Sequence, residues 1–257
     1  MRIVVKVGTS TLAHATGRLN IRHVEKLCRV LSDLKNAGNE VILVSSGAIG
    51  LGAGKMGLTA RPRETAMKQA AAAVGQCELM YVYDRMFAEY NHVVAQMLLT
   101  GDDLKPGQRC DNFKQTMRCL LAQGILPVIN ENDTVATEEI SVGDNDTLSA
   151  IVSAAIGADL LVLLSDIDGL YTADPHKDPT ARLIDTVPAL TEEIIALAGG
   201  SGSSLGTGGM QTKLSAAKIA TDAGVEMVIA NGAYPEKLYD IAAGQPVGTR
   251  FLSRQRV

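Results

Sequence analysis

The chain has 257 residues, is 46% hydrophobic and carries a formal net charge of -4, so it can bury a substantial core without disulfide support. The charge is too small, and the basic residues too scattered, for a nucleic-acid or membrane-surface partner. No apolar run reaches the length of a bilayer span, and the N-terminus lacks the apolar stretch and cleavage site of a secretory leader. What remains is a small-molecule ligand in a reduced, cytosolic setting. Cys28, Cys77, Cys110 and Cys119 show no CxxC spacing; Cys28 and Cys119 fall in apolar helical patterns and read as core residues.

The first apolar run, Ile3 to Val7, contains Lys6 and opens into Gly8, Thr9 and Ser10. Lysine in a strand has two readings: an edge strand with its ammonium in solvent, or the carboxyl end of a buried strand aimed at phosphate. Asn20 reads as the N-cap of a helix whose apolar positions Val24, Leu27, Leu31 and Leu34 follow three-four spacing, with Gly38 as its stop. Val41 to Val44 is the next strand. After it, small residues from Ser45 to Gly54 read as a second phosphate loop.

Two apparent motifs in that loop fail on context. Gly52 to Gly57 matches GxGxxG, but the strand ends well before it, away from the turn a dinucleotide fingerprint requires. Gly54-Lys55 suggests a P-loop, yet Met56 stands where a hydroxyl is needed and Ile49 where the first glycine belongs.

Residues 64–87 are rich in alanine and methionine and read as helices packed on a sheet or on another subunit, which makes a homo-oligomer an expectation. Val93 to Leu99 is a strand and Asp111 to Ala122 a helix stopped by Gly124. The strand Ile125 to Ile129 then runs into Asn130, Glu131, Asn132 and Asp133, and Asp144, Asn145 and Asp146 precede a helix from Leu148 to Ile156. This is the densest cluster of amides and carboxylates in the chain, and it reads as the substrate-recognition face. Asp144 is open between helix cap and ligand contact.

Leu160 to Leu164 has the uninterrupted apolar character of a central parallel strand, and its exit, Ser165-Asp166, lies where open α/β sheets bind ligands. The glycine-rich stretch from Gly199 to Gly209 reads either as a linker or as a phosphate loop. The phosphate reading is favoured because the stretch feeds a helix with Lys213 in its first turn, where dipole, free amides and ammonium act together. Val225 to Ala230 is a further strand, Tyr234 to Ala243 a helix, and Gly248 to Leu252 a strand-like tail.

Five segments carry a resemblance: VVKVGTSTL (residues 4–12), VSSGAIGLG (44–52), VINENDTVATEEISVGDNDTLSA (128–150), LLVLLSDIDGLYTADP (160–175) and GTGGMQTK (206–213). In this order they resemble the amino acid kinase family from Val4 to about Leu252, and the third and fifth are similar to its glutamate-phosphorylating branch. The resemblance implies a three-layer α/β/α sandwich on a mainly parallel sheet, a single domain over residues 1–257, with a glutamate-binding part mainly in 1–150 and a nucleotide-binding part mainly in 151–257. It implies ATP-dependent phosphorylation of the γ-carboxylate of L-glutamate, the first step of proline biosynthesis, with Mg2+ carried on the ATP phosphates and no metal-binding protein residue assigned.

By the same resemblance, Lys6 and Lys213 neutralise the phosphates and Asp146 orients both lysines. Ser46, Asp133 and Asn145 bind glutamate with Asn130 close by. Lys6, Gly8, Gly47, Ser165, Asp166, Thr207, Gly208, Gly209, Met210, Gln211, Thr212 and Lys213 hold the nucleotide. A carboxylate acceptor needs no general base, so positioning and charge neutralisation carry the reaction. Many members of that branch carry an additional C-terminal PUA domain, and this chain ends at Val257, soon after the kinase domain is expected to finish; proline is a feedback inhibitor by hypothesis. The alternatives are a relative acting on acetylglutamate, aspartate, carbamate or a nucleoside monophosphate, a silent amino acid sensor, and a dinucleotide-dependent oxidoreductase.

Overall fold

A computed structural model describes residues 1–14, 16–136, 142–175, 177–197 and 209–253. Among these, the chain alternates strand and helix: β1 (Arg2–Val7), α1 (Thr9–Leu12), α2 (Ile21–Asn36), β2 (Glu40–Ser45), α3 (Ala48–Lys55), α4 (Thr65–Ala88), β3 (Val94–Leu99), α5 (Gly101–Leu104), α6 (Gln108–Ala122) and β4 (Leu126–Glu131). It continues through α7 (Asn145–Ile156), β5 (Leu160–Ser165), β6 (Thr186–Val187), α8 (Glu192–Ala196), α9 (Met210–Asp222), β7 (Glu226–Asn231), α10 (Lys237–Ala242) and β8 (Thr249–Phe251).

The strands form one sheet in the order β3-β4-β2-β1-β5-β7-β8-β6, parallel except where β8 runs against β7. Side chains alternate across it. Ile3, Val5 and Val7 of β1 face one way and pack with α2, α3, α4 and α10. Val4 faces the other way, into the layer of α6, α7 and α9. The result is the expected three-layer sandwich, with both faces of the sheet covered as parallel strands require.

β1 is flanked by β2 and β5, so it is a central strand. The edge-strand reading of Lys6 is therefore wrong. By parity Lys6 shares the face of Val4, which aims it at the α7 and α9 layer rather than at solvent. The strand order also reverses at β1, whose neighbours lead one way toward β4 and β3 and the other way toward β7. A reversal of this kind opens a crevice at the carboxyl ends of the strands.

Other differences from the sequence reading have local causes. The small-residue stretch after β2 is not a loop: only Ser46 and Gly47 turn, and helix α3 begins at Ala48. Its glycines serve packing, since a Cβ on Gly52 would stand 1.8 Å from the carbonyl oxygen of Ala71, and one on Gly75 1.7 Å from that of Ala48. Helices α3 and α4 thus touch backbone to backbone at Gly52, the first glycine of the GxGxxG match, while Gly54 lies against the backbone of Gly17. β4 runs on through Asn130 and Glu131, both buried. Cys119 is exposed and Cys110 buried, because α6 buries Cys110, Phe113, Met117 and Leu121 and position 119 lies on the opposite side of the turn.

Glycine-to-alanine changes inside a helix ordinarily stabilise by up to about 1 kcal/mol. Gly75→Ala is expected to do the reverse, lowering unfolding free energy in urea by about 3 kcal/mol or more, because the Ala48 carbonyl leaves no room for the methyl group. A rise in stability would show that the two helices are not in backbone contact.

Candidate functional site

Three ionised side chains meet at the carboxyl end of β1. Lys6 Nζ lies 2.7 Å from Asp146 Oδ1, and Lys213 Nζ lies 3.1 Å from Asp146 Oδ2, with side chains that are 12%, 6% and 1% exposed for Lys6, Lys213 and Asp146. Each arrives from a different element: β1, the first turn of α9, and the first turn of α7. Burial alone raises the Asp146 pKa, but Lys6 and then Lys213 outweigh it, and the carboxyl is held below the ordinary carboxylate range. Thr212 donates a further hydrogen bond to Oδ2 at 3.0 Å. One carboxylate thus anchors two ammonium groups and leaves the cluster with a net positive charge.

Backbone amides converge on the same region. α1, α3 and α9 begin after Gly8, Gly47 and Gly209, and none of these N-caps has a side chain to satisfy the first amides of its helix. A Cβ on Gly8 would lie 3.7 Å from Lys6 Nζ, so this backbone passes close to the ammonium. Gly47 adopts φ +104, a conformation that side-chain-bearing residues rarely take. Free amides beside a cation are suited to an anion such as phosphate. Ser165 and Asp166 stand at the end of β5, on the other side of β1 from β2, with the serine hydroxyl donating to the carboxylate at 3.0 Å. Thr207 and Gly208, with the rest of the glycine-rich stretch before Gly209, lie outside the described residues, as do residues 137–141 of the middle segment.

On the β2 and β4 side a cavity of about 730 Å³ is lined by Ser46, Gly47, Asn130, Asp133 and Asn145, among others. Lys6, Asp146 and Lys213 do not line it. The two places are joined through α7, whose first residue Asn145 faces the cavity while the next, Asp146, turns to the lysines. Asn145 Nδ2 donates to Ser46 Oγ at 2.8 Å and to Asn130 Oδ1 at 2.9 Å. Asn130 in turn donates to Gln76 Oε1 at 3.0 Å. Asp144 caps α7, accepting from the Thr147 amide at 2.9 Å, which bears out its reading as a helix cap, and it also lines the cavity.

Asp133 is pushed up to about 6, first by burial and then by the nearby Glu131 carboxylate, with Arg61 acting in the opposite sense. Glu131 itself accepts from the Val142 amide at 2.7 Å and so ties the end of β4 to the approach of α7.

Gln76 and Arg61 are absent from the sequence-derived site, and Glu131 belongs to its polar cluster without an assigned role. Gln76 carried a signal: it is a lone amide on the face of α4 that buries Ala72, Leu79 and Tyr83, and a buried amide needs partners. Arg61 carried none, since an arginine between glycine, proline and threonine reads as an ordinary loop residue. Among the described residues no group of three or more His, Cys, Asp and Glu is arranged to hold a metal ion, and no helix is long and apolar enough to cross a membrane.

Residues 1–231 match the model of the amino acid kinase family. The chain is 52% identical to a glutamate 5-kinase of Clostridium perfringens over 99% of its length and 96% of the relative's. It is 54% identical to a glutamate 5-kinase of Clostridium tetani over 97% of its length and 93% of the relative's. Among solved structures it is similar to an isopentenyl phosphate kinase of T. acidophilum, with TM-score 0.68, 16% identity and coverage of 98% of this chain and 100% of the other. A UMP kinase of Bacillus anthracis gives TM-score 0.68 at 18% identity, over 100% of this chain and 97% of the other. The two structures, at such identity, speak for the fold alone.

Asp133 provides a test of the site's electrostatics. A carboxyl whose folded pKa exceeds its unfolded value binds its proton more tightly in the folded state, so its favourable contribution is present at low pH and is lost as pH rises through about 6. Asp133→Asn is therefore expected to raise unfolding free energy by about 1–3 kcal/mol near pH 8 and by little near pH 4. An effect independent of pH would mean that Asp133 is not held above its ordinary range.

Proposed function

The chain belongs to the amino acid kinase family, and on that premise we infer that it transfers the terminal phosphoryl group of ATP to the γ-carboxylate of L-glutamate, giving L-glutamyl 5-phosphate, the first step of proline biosynthesis. The glutamate 5-kinase relatives match nearly end to end. The geometry that carries the reading is the pair of ammonium groups held by Asp146 next to a cavity that has room for an amino acid and presents Ser46, Asn130, Asp133 and Asn145 to it.

In the reaction a γ-carboxylate oxygen attacks the terminal phosphorus, the bond from that phosphorus to the bridging oxygen breaks, and ADP leaves with the electron pair. No proton has to move, because the nucleophile is already ionised. The barrier to lower is repulsion between two anions. Lys6 and Lys213 supply fixed positive charge where negative charge spreads in the transition state, and the free amides after Gly8, Gly47 and Gly209 supply dipoles of the same sign. Asp146 is a positioning residue: it fixes where both ammonium groups stand. In this reading Ser46, Asp133 and Asn145 hold glutamate, with Asn130 fixing the Asn145 amide. Ser165, Asp166 and the segment ending at Lys213 hold the nucleotide.

This division assigns glutamate mainly to residues 1–150 and nucleotide mainly to 151–257 of one kinase domain. Its support is the position of β1, with the cavity on the β2 and β4 side and Ser165-Asp166 at the end of β5 on the other. Phosphoryl transfer from ATP generally uses a divalent cation, and we assign Mg2+, entering with ATP as part of the co-substrate. An ion that keeps waters and phosphate oxygens as ligands needs few from the protein. A cytoplasmic setting fits the buried, reduced Cys28 and Cys110. Exposed Met67 and Tyr81 on α4 support self-association through that helix. Proline inhibition is proposed because a pocket shaped for one α-amino acid accommodates another; glutamate turnover unaltered by millimolar proline would exclude it.

The deciding experiment offers L-glutamate, N-acetylglutamate, aspartate and uridine monophosphate with ATP, using hydroxylamine to trap an acyl phosphate. Hydroxamate formation with L-glutamate in preference to the others is expected, and turnover of another acceptor with none of glutamate would overturn the assignment. In the same assay Lys213→Ala is expected to lower kcat by about 100-fold or more, the scale of losing one preorganised charge at the transferring group. A near-normal rate would remove α9 from the active site.

A further inference from the structure

The cavity has walls of opposite sign. Glu131, Asp133 and Asp144 come from the end of β4 and the approach to α7, while Arg61, Arg63 and Lys68 come from the segment that leads into α4 and its first turn. Among the described residues, none of these three cations makes an ion pair within 4.0 Å, whereas surface pairs such as Lys105–Asp102 and Lys218–Asp222 close to 2.7 and 2.8 Å. Asp133 likewise has no ion-pair partner there, although Arg61 is the cation whose field it feels. Opposite charges that face each other across a cavity without touching leave room for a group that satisfies both.

An α-amino acid is such a group, with an ammonium and a carboxylate on one carbon. If its γ-carboxylate points to the lysine cluster and its ammonium to Asp133, the α-carboxylate is left needing a cation. Ser46 and Asn145 are neutral, and the Asn145 amide is already spent on Ser46 and Asn130. We propose that Arg61 binds the α-carboxylate, forming with Asp133 a two-sided clamp that selects a free α-amino acid as acceptor. Guanidinium suits this role because it pairs with a carboxylate through two parallel N–H donors. Arg61 is thus a specificity residue, outside the phosphoryl-transfer cluster. The assignment rests on the glutamate reading above.

The test compares L-glutamate with its α-amide, L-isoglutamine, which keeps the ammonium and the free γ-carboxylate and loses only the α-carboxylate charge. For the wild-type chain kcat/KM is expected to favour glutamate by about 10–100-fold, the contribution of one hydrogen-bonded charge. In Arg61→Ala that preference is expected to fall to within about threefold of unity, through a higher KM for glutamate with kcat and the KM for ATP nearly unchanged, and Arg61→Lys is expected to recover part of it. Arg61→Ala that lowers turnover of both acceptors equally, or that preserves the preference, overturns the proposal. So does Arg63→Ala producing the pattern assigned to Arg61, or a wild-type chain indifferent to the α-amide. Failure of the glutamate reading itself is separate: it appears as absence of hydroxamate from the wild-type chain with L-glutamate.

Discussion

The contact on which the rest of the site depends is the carboxylate of Asp146, shared between Lys6 and Lys213. Each of the three charges, buried alone, would cost several kcal/mol, and a buried pair is stable only when its geometry and remaining hydrogen bonds are good. Here each oxygen takes one ammonium, and Thr212 adds a hydrogen bond to the second oxygen. The two cations repel, so a carboxylate placed between them sets their separation. What results is a centre with a net positive charge. It also couples elements distant in sequence: β1, α7 and α9 cannot shift independently without breaking an ion pair.

That coupling is available only because of the sheet. Lys6 reaches Asp146 because β1 is central and alternation puts position 6 on the face opposite Ile3, Val5 and Val7. Lys213 reaches it because α9 lies against α7 on that same face, buried through Leu214, Ala216, Ala217 and Ala220. Small residues at those positions allow close approach of the two helices. On the other face the same device recurs in a stricter form, with Gly52 and Gly75 allowing α3 to contact α4. This brings Gln76 under the cavity floor, where it orders Asn130 and, through Asn130, Asn145 and Ser46.

The alternation of strands and helices was legible because apolar runs of strand length alternate with three-four periodic segments, and both signals are local. Lys6, Asp146 and Lys213, and the orienting of both lysines by Asp146, were legible through family resemblance; composition and spacing alone do not show their meeting, since two ion pairs between residues 67 and 140 positions apart depend on strand order. Lys6 alone left its reading open between edge and centre, and only pairing of β1 on both sides resolves it. The glycines after β2 misled because small residues serve tight turns and close helix packing equally well, and nothing within residues 45–54 says which. Arg61 was illegible for a related reason. Its significance lies in facing Asp133 across a cavity, a relation between two loops that no spacing encodes.

The same relation explains why the cavity is built at a cost to stability. Asp133 is buried near Glu131 and held near a pKa of about 6, so at neutral pH the empty protein carries a carboxylate it would hold more easily as the neutral acid. The arginine opposite eases this without closing on it. A direct Arg61–Asp133 ion pair would remove the penalty and fill the site at once, and an incoming zwitterion would then have to break it. In the clamp proposed for Arg61 and Asp133, holding the charges apart keeps both walls unsatisfied until an ammonium and a carboxylate arrive together. A ligand with only one of those groups relieves one wall and leaves the other as it was, which makes selection for the pair a property of the spacing rather than of either residue.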